Sequence, residues 1–401
     1  MRVFKMNALY YTLEYQRDTV IPDIFPELLS NELVHIGYGG LEDINAIGNF
    51  LHTDEELIIS EIVEQYNQGK RIFVYECLRE GLVLPVMLKF FRITTKINLP
   101  DASFIWLTGD PNGKKIVEDY WFKRIPKKPF QVWGAYYFEY LAHHTFLKYS
   151  KEYTPGPREK TFLCYNNILR PARVEFLEQM LKHDLVKDSY YSFIGGSRGT
   201  TTTNGLLAIL AAKGTTTTNG LLDTIDTNLY PNIHNNKEIL PLILGNTKAD
   251  DLPWSPELEP EDYMFFENSY FSVVTETLYY QENLTPNQLH AEHVPALIGL
   301  FLTEKTYKPI AMKHPFILLA PAHSLRMLRE RGYKTFSPFI DESYDEIEND
   351  TLRLQAVVEE VKRLSKSDLV EFTYQIKDIV EHNEKILRNQ TVFVPNKIKN
   401  Q

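Results

Sequence analysis

Short runs of β-branched and aromatic residues, each followed by a turn signal and a helix-like stretch, recur through the first 150 positions. Leu33-Val34-His35-Ile36 runs into Gly37-Tyr38-Gly39-Gly40, a turn without the glycine spacing of a dinucleotide fingerprint. A helix is predicted over 53–68, with Thr53 as N-cap, Glu56 at capping-box spacing and Gly69 ending it. Arg71-Ile72-Phe73-Val74-Tyr75 reads as the next strand. Ala102–Leu107 is another, followed by the turn Thr108-Gly109-Asp110-Pro111-Asn112-Gly113 and a helix from Lys114. Strand, turn and helix in succession is the pattern of an open α/β sheet, and α/β is the predicted fold class.

With 401 residues the chain has room for two domains. The Pro/Gly/charge-rich stretch 150–160 is the expected boundary. The division predicted is 1–155, an N-terminal α/β domain, 156–345, a second α/β domain, and 346–401, C-terminal helices and tail. After the break, Thr161–Tyr165 reads as a strand and Val174–Leu181 as a helix, so the residues between occupy a strand's C-terminal end, where open α/β sheets bind ligands. Arg170 and Arg173 lie there as rigid forks suited to a diphosphate. Gly199–Leu207 and Gly214–Leu222 are identical copies of GTTTTNGLL, read as a loop duplication without chemical role. Residues 247–262 are an acidic, Pro-rich connector ending at the strand-like Tyr263–Phe266, and 294–301 is helix-like. From about 345 to 390 the chain reads as helical, with Leu352, Leu354, Val357, Val358, Val361 and Leu364 forming one stripe.

The net charge of −10 argues against a chain held on nucleic acid by its overall field. Two cysteines, Cys77 and Cys164, in apolar surroundings read as buried thiols. No uncharged apolar run reaches the roughly 18 residues of a membrane span, and no signal-peptide core opens the sequence. The expectation is a cytoplasmic protein, in the host cytoplasm if viral, without integral membrane contact and with the oligomeric state open. Aromatics at 13 % suit clefts lined by flat rings.

The polar cluster most in need of explanation is Thr303-Glu304-Lys305 with Lys308, directly ahead of the apolar run Phe316-Ile317-Leu318-Leu319. Charges feeding a buried strand are costly unless something polar binds there. On a helix, Glu304 and Lys308 would also form one salt-bridged face without any ligand. Phe265-Phe266-Glu267-Asn268-Ser269 is a second polar cluster behind aromatics.

Together with Phe162–Arg173, these segments resemble the nucleotide-sugar half of a GT-B glycosyltransferase, most closely the fucosyltransferase-like branch and related bacterial and viral enzymes. The resemblance covers roughly 160–345: an Asn/Arg-bearing strand end, a FEN-S element and a TEK motif. Pro321-Ala322-His323-Ser324 stands where the family has a Gly-containing turn. More than thirty residues separate Asn268 from Thr303, which the family keeps almost contiguous. The resemblance implies two Rossmann-like domains facing across a cleft, with a C-terminal helical segment. It also implies a nucleoside-diphosphate sugar as donor substrate and no tightly bound cofactor. No DxD pair suited to a metal-bound nucleotide sugar stands in a suitable place, so Arg and Lys instead of a metal would neutralise the diphosphate. Ribose hydroxyls would be held by Glu304, and the diphosphate by Lys305 and Arg170 or Arg173. Asn167, Glu267, Asn268, Ser269, Thr303 and Lys308 would complete the donor site. Glu276 is read as a decoy or second polar contact.

An inverting transfer needs a carboxylate base on the acceptor side. Glu80 and Glu76 follow the 71–75 strand, and Asp110 follows the 102–107 strand. The acceptor is expected to be a glycan, a small molecule or modified DNA. Lys114-Lys115 and Lys123-Arg124-Ile125-Pro126-Lys127-Lys128 support the DNA alternative, a viral enzyme glycosylating hydroxymethylated bases. A non-catalytic α/β binding or assembly module is the third reading, distinguished by the absence of donor hydrolysis.

Overall fold

The computed structural model describes residues 24–25, 33–37, 54–78, 84–100, 102–120, 129–166, 171–193, 228–240, 244, 260–276, 279 and 301–394. It is α/β, with two four-stranded parallel sheets. The chain divides into two compact units, Met1–Tyr137 with Val392–Gln401, and Phe138–Thr391. No helix among the described residues is long and apolar enough to cross a membrane.

In the first unit, strands β1 (Leu33–Gly37), β2 (Ile72–Cys77), β3 (Ser103–Thr108) and β4 (Gln131–Gly134) lie in sequence order. Helices α1 (Glu55–Asn67), α2 (Leu84–Lys96) and α3 (Gly113–Tyr120) make the crossovers. All three crossovers step the same way, so the right-handed rule puts them on one face. Phe73, Val74 and Tyr75 are successive buried residues, as expected of a strand covered on both sides. Tyr75 stacks on Trp106 at 4.6 Å, and Phe90 meets both Trp106 and Phe130 edge-on. Each ring contributes about 2–3 kcal/mol through burial. The cap of α1 is Asp54 rather than Thr53: its carboxylate accepts the Glu56 and Leu57 N–H groups at 2.8 and 3.3 Å.

In the second unit, β5 (Lys160–Cys164), β6 (Ser189–Tyr191), β7 (Ser269–Thr275) and β8 (Phe316–Leu319) are ordered β6-β5-β7-β8. Its helices are α4 (Tyr137–Thr145), α5 (Pro171–Lys182), α6 (Pro231–Asn235), α7 (Pro260–Glu267), α8 (Glu304–Ala311) and α9 (Ser324–Glu330), followed by α10 (Asp350–Leu364), α11 (Leu369–Gln375) and α12 (Lys377–Arg388). On the long α10, Leu354, Val357, Val358, Val361 and Leu364 are buried, but Leu352 is 56 % exposed. Two residues before Leu354, it points about 200° away from that stripe. Tyr263–Phe266 is helical rather than strand-like: Tyr263 and Phe266 are buried at i,i+3 spacing while Met264 is 41 % exposed.

The units part at Tyr137 instead of 150–160, and the helices after 345 belong to the second unit. The reason is hydrogen bonding from both segments. Glu139 on α4 is fully buried and accepts Arg331 Nε at 3.0 Å and the Tyr333 hydroxyl at 2.6 Å. In the 150–160 stretch, the Tyr153 hydroxyl donates to the Thr373 carbonyl at 3.2 Å, and the Gly156 N–H to the Thr373 hydroxyl at 2.8 Å. The tail returns to the first unit, where the Tyr136 N–H donates to the Phe393 carbonyl at 2.7 Å. Gly39-Gly40, both GTTTTNGLL copies and most of 294–301 lie outside the described residues.

Candidate functional site

In the second unit the strand order reverses between β5 and β7, and the C-terminal ends of those strands are where such a sheet holds ligands. Asn166, just past β5, spans the reversal. Its Oδ1 accepts the Thr275 hydroxyl at 2.5 Å, its N–H donates to Ser192 Oγ at 3.0 Å, and its Nδ2 approaches Cys164 Sγ at 3.1 Å. Arg173, buried in the first turn of α5, donates Nη2 to the Thr275 carbonyl at 3.0 Å. Burial pushes the Cys164 thiol up to about 12, which leaves it an inert thiol at neutral pH.

Glu276 directly follows β7, is 2 % exposed, and organises the next element. Its Oε1 accepts the Thr303 N–H at 2.9 Å and the Thr306 hydroxyl at 2.6 Å, while its Oε2 accepts the Thr303 hydroxyl at 2.7 Å. A carboxylate at a helix N-terminus satisfies orphan donors and complements the dipole. Glu276 thus fixes the start of α8. Sequence reasoning made it a secondary contact; the available signal was its place as the first residue beyond a β-branched strand.

Thr303 caps α8, and the residues after it carry the charges. Glu304 is 1 % exposed. Its Oε1 accepts Lys305 Nζ at 2.9 Å, and its Oε2 has no hydrogen-bond partner among the described residues. Lys305 Nζ also donates to Thr303 Oγ1 at 2.9 Å. Lys308 is buried, with its ammonium 5.1 Å from the centre of the Phe146 ring. Lys305, Lys308, Tyr165, Phe266 and Thr275 help to line a cavity of about 40 Å³. A space that small admits one small group, not a whole nucleotide.

Glu267, Asn268 and Ser269 do not join this cluster. They lie where α7 ends and β7 begins, at the other edge of the sheet. The seven residues of β7 span roughly 20 Å at about 3.3 Å each, which separates them from Glu276 and the α8 start. Glu267 is exposed and pairs with Lys151 at 2.6 Å. Ser269 is buried, its hydroxyl donating to the Phe265 carbonyl at 2.6 Å. Asn167, Arg170, Glu80 and Lys123–Lys128 lie outside the described residues, while Lys114 and Lys115 are exposed on α3.

The turn Pro321–Ser324 places His323 in the left-handed region, at φ 69°. The Asp345 carbonyl accepts the His323 N–H at 2.7 Å, and the Asp345 carboxylate accepts the Leu325 and Arg326 N–H groups at 2.9 and 3.1 Å. Glu342 accepts the Phe336 N–H at 2.6 Å, and Asp341 accepts that of Ser343 at 3.0 Å. These acids hold backbone.

Two candidate bases of the first unit are described. Glu76 lies within β2, in register with Leu107. Asp110 is fully buried in the turn after β3, where its Oδ1 accepts the Asn112 N–H at 2.8 Å and its Oδ2 has no hydrogen-bond partner among the described residues. Burial pushes its carboxyl up to about 7, against the opposing pull of the Asn112 N–H. Gly134 makes this turn possible, because a Cβ there would collide with the carbonyl oxygens of Asp110 and Pro111.

Among the described residues, no group of three His, Cys, Asp or Glu side chains is placed to hold a metal ion. No family model, curated protein or solved structure matches the chain.

Proposed function

We propose that the chain is a glycosyltransferase of GT-B type that moves a sugar, with inversion, from a nucleoside-diphosphate sugar to an acceptor hydroxyl. Two Rossmann-like domains working across a cleft are part of the proposal, as is the fucosyltransferase-like resemblance. One observation carries it. At the edge where the strand order reverses, the buried Glu304 has an oxygen without a hydrogen-bond partner among the described residues, beside Lys305 on the same helix turn. A buried acceptor left unmet costs on the order of 1–3 kcal/mol. A ribose hydroxyl would supply the missing donor.

In this reading a phosphoryl group of the donor lies against Lys305 and Lys308. The acceptor hydroxyl gives its proton to a carboxylate as its oxygen attacks the anomeric carbon. The bond from that carbon to the diphosphate oxygen breaks, and its electron pair leaves with the nucleoside diphosphate, whose charge Lys305 meets. Among the described candidate bases Asp110 is the one whose carboxyl burial holds at about 7, within reach of accepting a proton at neutral pH.

The test is calorimetric titration of GDP, UDP and their sugars into the wild type, Lys305→Ala and Glu304→Gln. Binding of one nucleotide series is expected, weakened at least tenfold in each variant. Equal affinity in wild type and Lys305→Ala would sink the proposed diphosphate contact. Donor hydrolysis lost in Asp110→Asn, with donor affinity kept, would assign the base.

A further inference from the structure

The opposite edge of the second unit's sheet carries a larger concavity. A cavity of about 280 Å³ lies where β7 begins, between the end of α7, residues 149–158 and Met312–His314. Tyr149 and Tyr263 contribute rings 4.8 Å apart, tilted by 42°. Around them stand polar groups that make no hydrogen bond among the described residues: the Asn268 carboxamide, the Glu152 carboxylate and the hydroxyls of Tyr149 and Tyr270.

The cations at this rim are already engaged. Lys151 pairs with Glu267 at 2.6 Å, Lys313 donates to Ser150 Oγ at 3.0 Å and the Lys151 carbonyl at 2.6 Å, and Arg158 donates to the Thr154 carbonyl. His314 adds no positive charge: its Nε2–H donates to the Ser269 carbonyl at 2.9 Å, and its Nδ1 accepts the Ser272 hydroxyl at 2.8 Å. An anion needs donors only, and here two carboxylates, Glu152 and Glu267, stand among the three cations and offset most of their charge. A polyhydroxylated ring fits differently. Its hydroxyls donate and accept at once, matching a carboxamide, a carboxylate and phenols, and its C–H face packs on an aromatic ring.

We propose that this cavity is a saccharide-binding subsite, in which a sugar ring packs on Tyr149 and Tyr263 and its hydroxyls are read by Asn268 and Glu152. The inference stands on this cavity and does not depend on the transferase reading.

Saturation-transfer NMR on the full chain tests it, with cellobiose, maltose and lactose as probes and inorganic phosphate as competitor. Saturable transfer to at least one disaccharide is expected, undisturbed by phosphate. Affinity should fall at least tenfold in Tyr149→Ala and in Asn268→Ala, and should be kept in Lys305→Ala. Asn268→Ala removes a side chain that makes no hydrogen bond among the described residues, so its melting temperature should match the wild type and separate lost binding from lost folding. No saturable binding of any probe, displacement by phosphate, or full affinity in either cavity variant would overturn the subsite. Loss of binding in Lys305→Ala would also overturn it, by moving the sugar to the other edge.

Discussion

The two parallel sheets are built from the same kind of strand, but they run through their order differently. In the first unit the order β1-β2-β3-β4 never turns back, whereas in the second β6-β5-β7-β8 reverses between β5 and β7. At the reversal the neighbouring crossovers leave in opposite directions, so side chains from separate segments must bridge the gap. Asn166 and Arg173 do so, and Glu276, just beyond β7, holds the start of α8 beside them. The unidirectional sheet has no such gap. Its buried acid, Asp110, is held by its own turn and the facing Gly134. Long-range polar contacts therefore gather at the second unit's edge, and local ones at the first's.

The largest expected effect breaks the long-range side of that contrast. Glu276→Ala removes the acceptor of three hydrogen bonds at the start of α8. At about 1.5–3 kcal/mol for each bond to a charged group, and allowing for non-additivity, it should cost about 5 kcal/mol in urea unfolding. A loss below about 1 kcal/mol would mean that α8 starts without it.

The second prediction sharpens the contrast through pH. Asp110 is raised from 3.8 to about 7, so the folded state holds its proton more tightly than the unfolded state does. Its contribution is whole below pH 3.8 and is lost as pH rises to about 7, amounting to about 4 kcal/mol at about 1.4 per unit. In the second unit, burial lowers His314 from 6.5 to about 4. Its contribution is whole above pH 6.5 and is lost as pH falls to about 4, about 3 kcal/mol in all. The two slopes oppose each other between pH 4 and 6.5. Asp110→Asn should gain on the wild type as pH rises from 4 to 7, and His314→Asn should gain as pH falls from 6.5 to 4. Urea midpoints at four pH values in that range measure both. Parallel curves for all three proteins would refute the pairing.

The smallest effect probes the local side. Gly134→Ala sets a methyl against two backbone carbonyls and should cost about 2 kcal/mol, the scale of overpacking. Differential scanning calorimetry should show a lower transition temperature, and an unchanged one would mean that the 110–111 turn moves aside freely.

Five of the eight strands were legible in the sequence because parallel strands bury both faces and read as unbroken apolar runs, as in Ile72–Tyr75 and Phe316–Leu319, whereas β4, β6 and β7, with polar residues in or beside them, were not read as strands. The cluster Thr303-Glu304-Lys305 was legible as one too costly to leave unmet, but it was read as running into a strand, and the structure sets it at the start of α8. What sequence reasoning missed depends on strand length and direction. Phe265–Ser269 and Thr303–Lys308 look alike as polar clusters behind apolar residues, yet β7 carries the chain across the sheet between them. Glu276 looked minor because its partners, Thr303 and Thr306, lie 27 and 30 residues away. The cap moved from Thr53 to Asp54 because neighbouring cap formers compete and one residue of backbone geometry decides between them.

The return of Val392–Gln401 to the first unit makes that unit discontinuous, while the second is one unbroken segment. During synthesis the ribosome therefore emits most of the first unit, then the whole second unit, and only then the residues that complete the first. The second unit has all its own sequence before Phe393 can accept the Tyr136 N–H. Of these two units the one begun earlier is thus the later to be finished, and stalling after Thr391 would leave a chain whose second unit is complete and whose first lacks its closing segment.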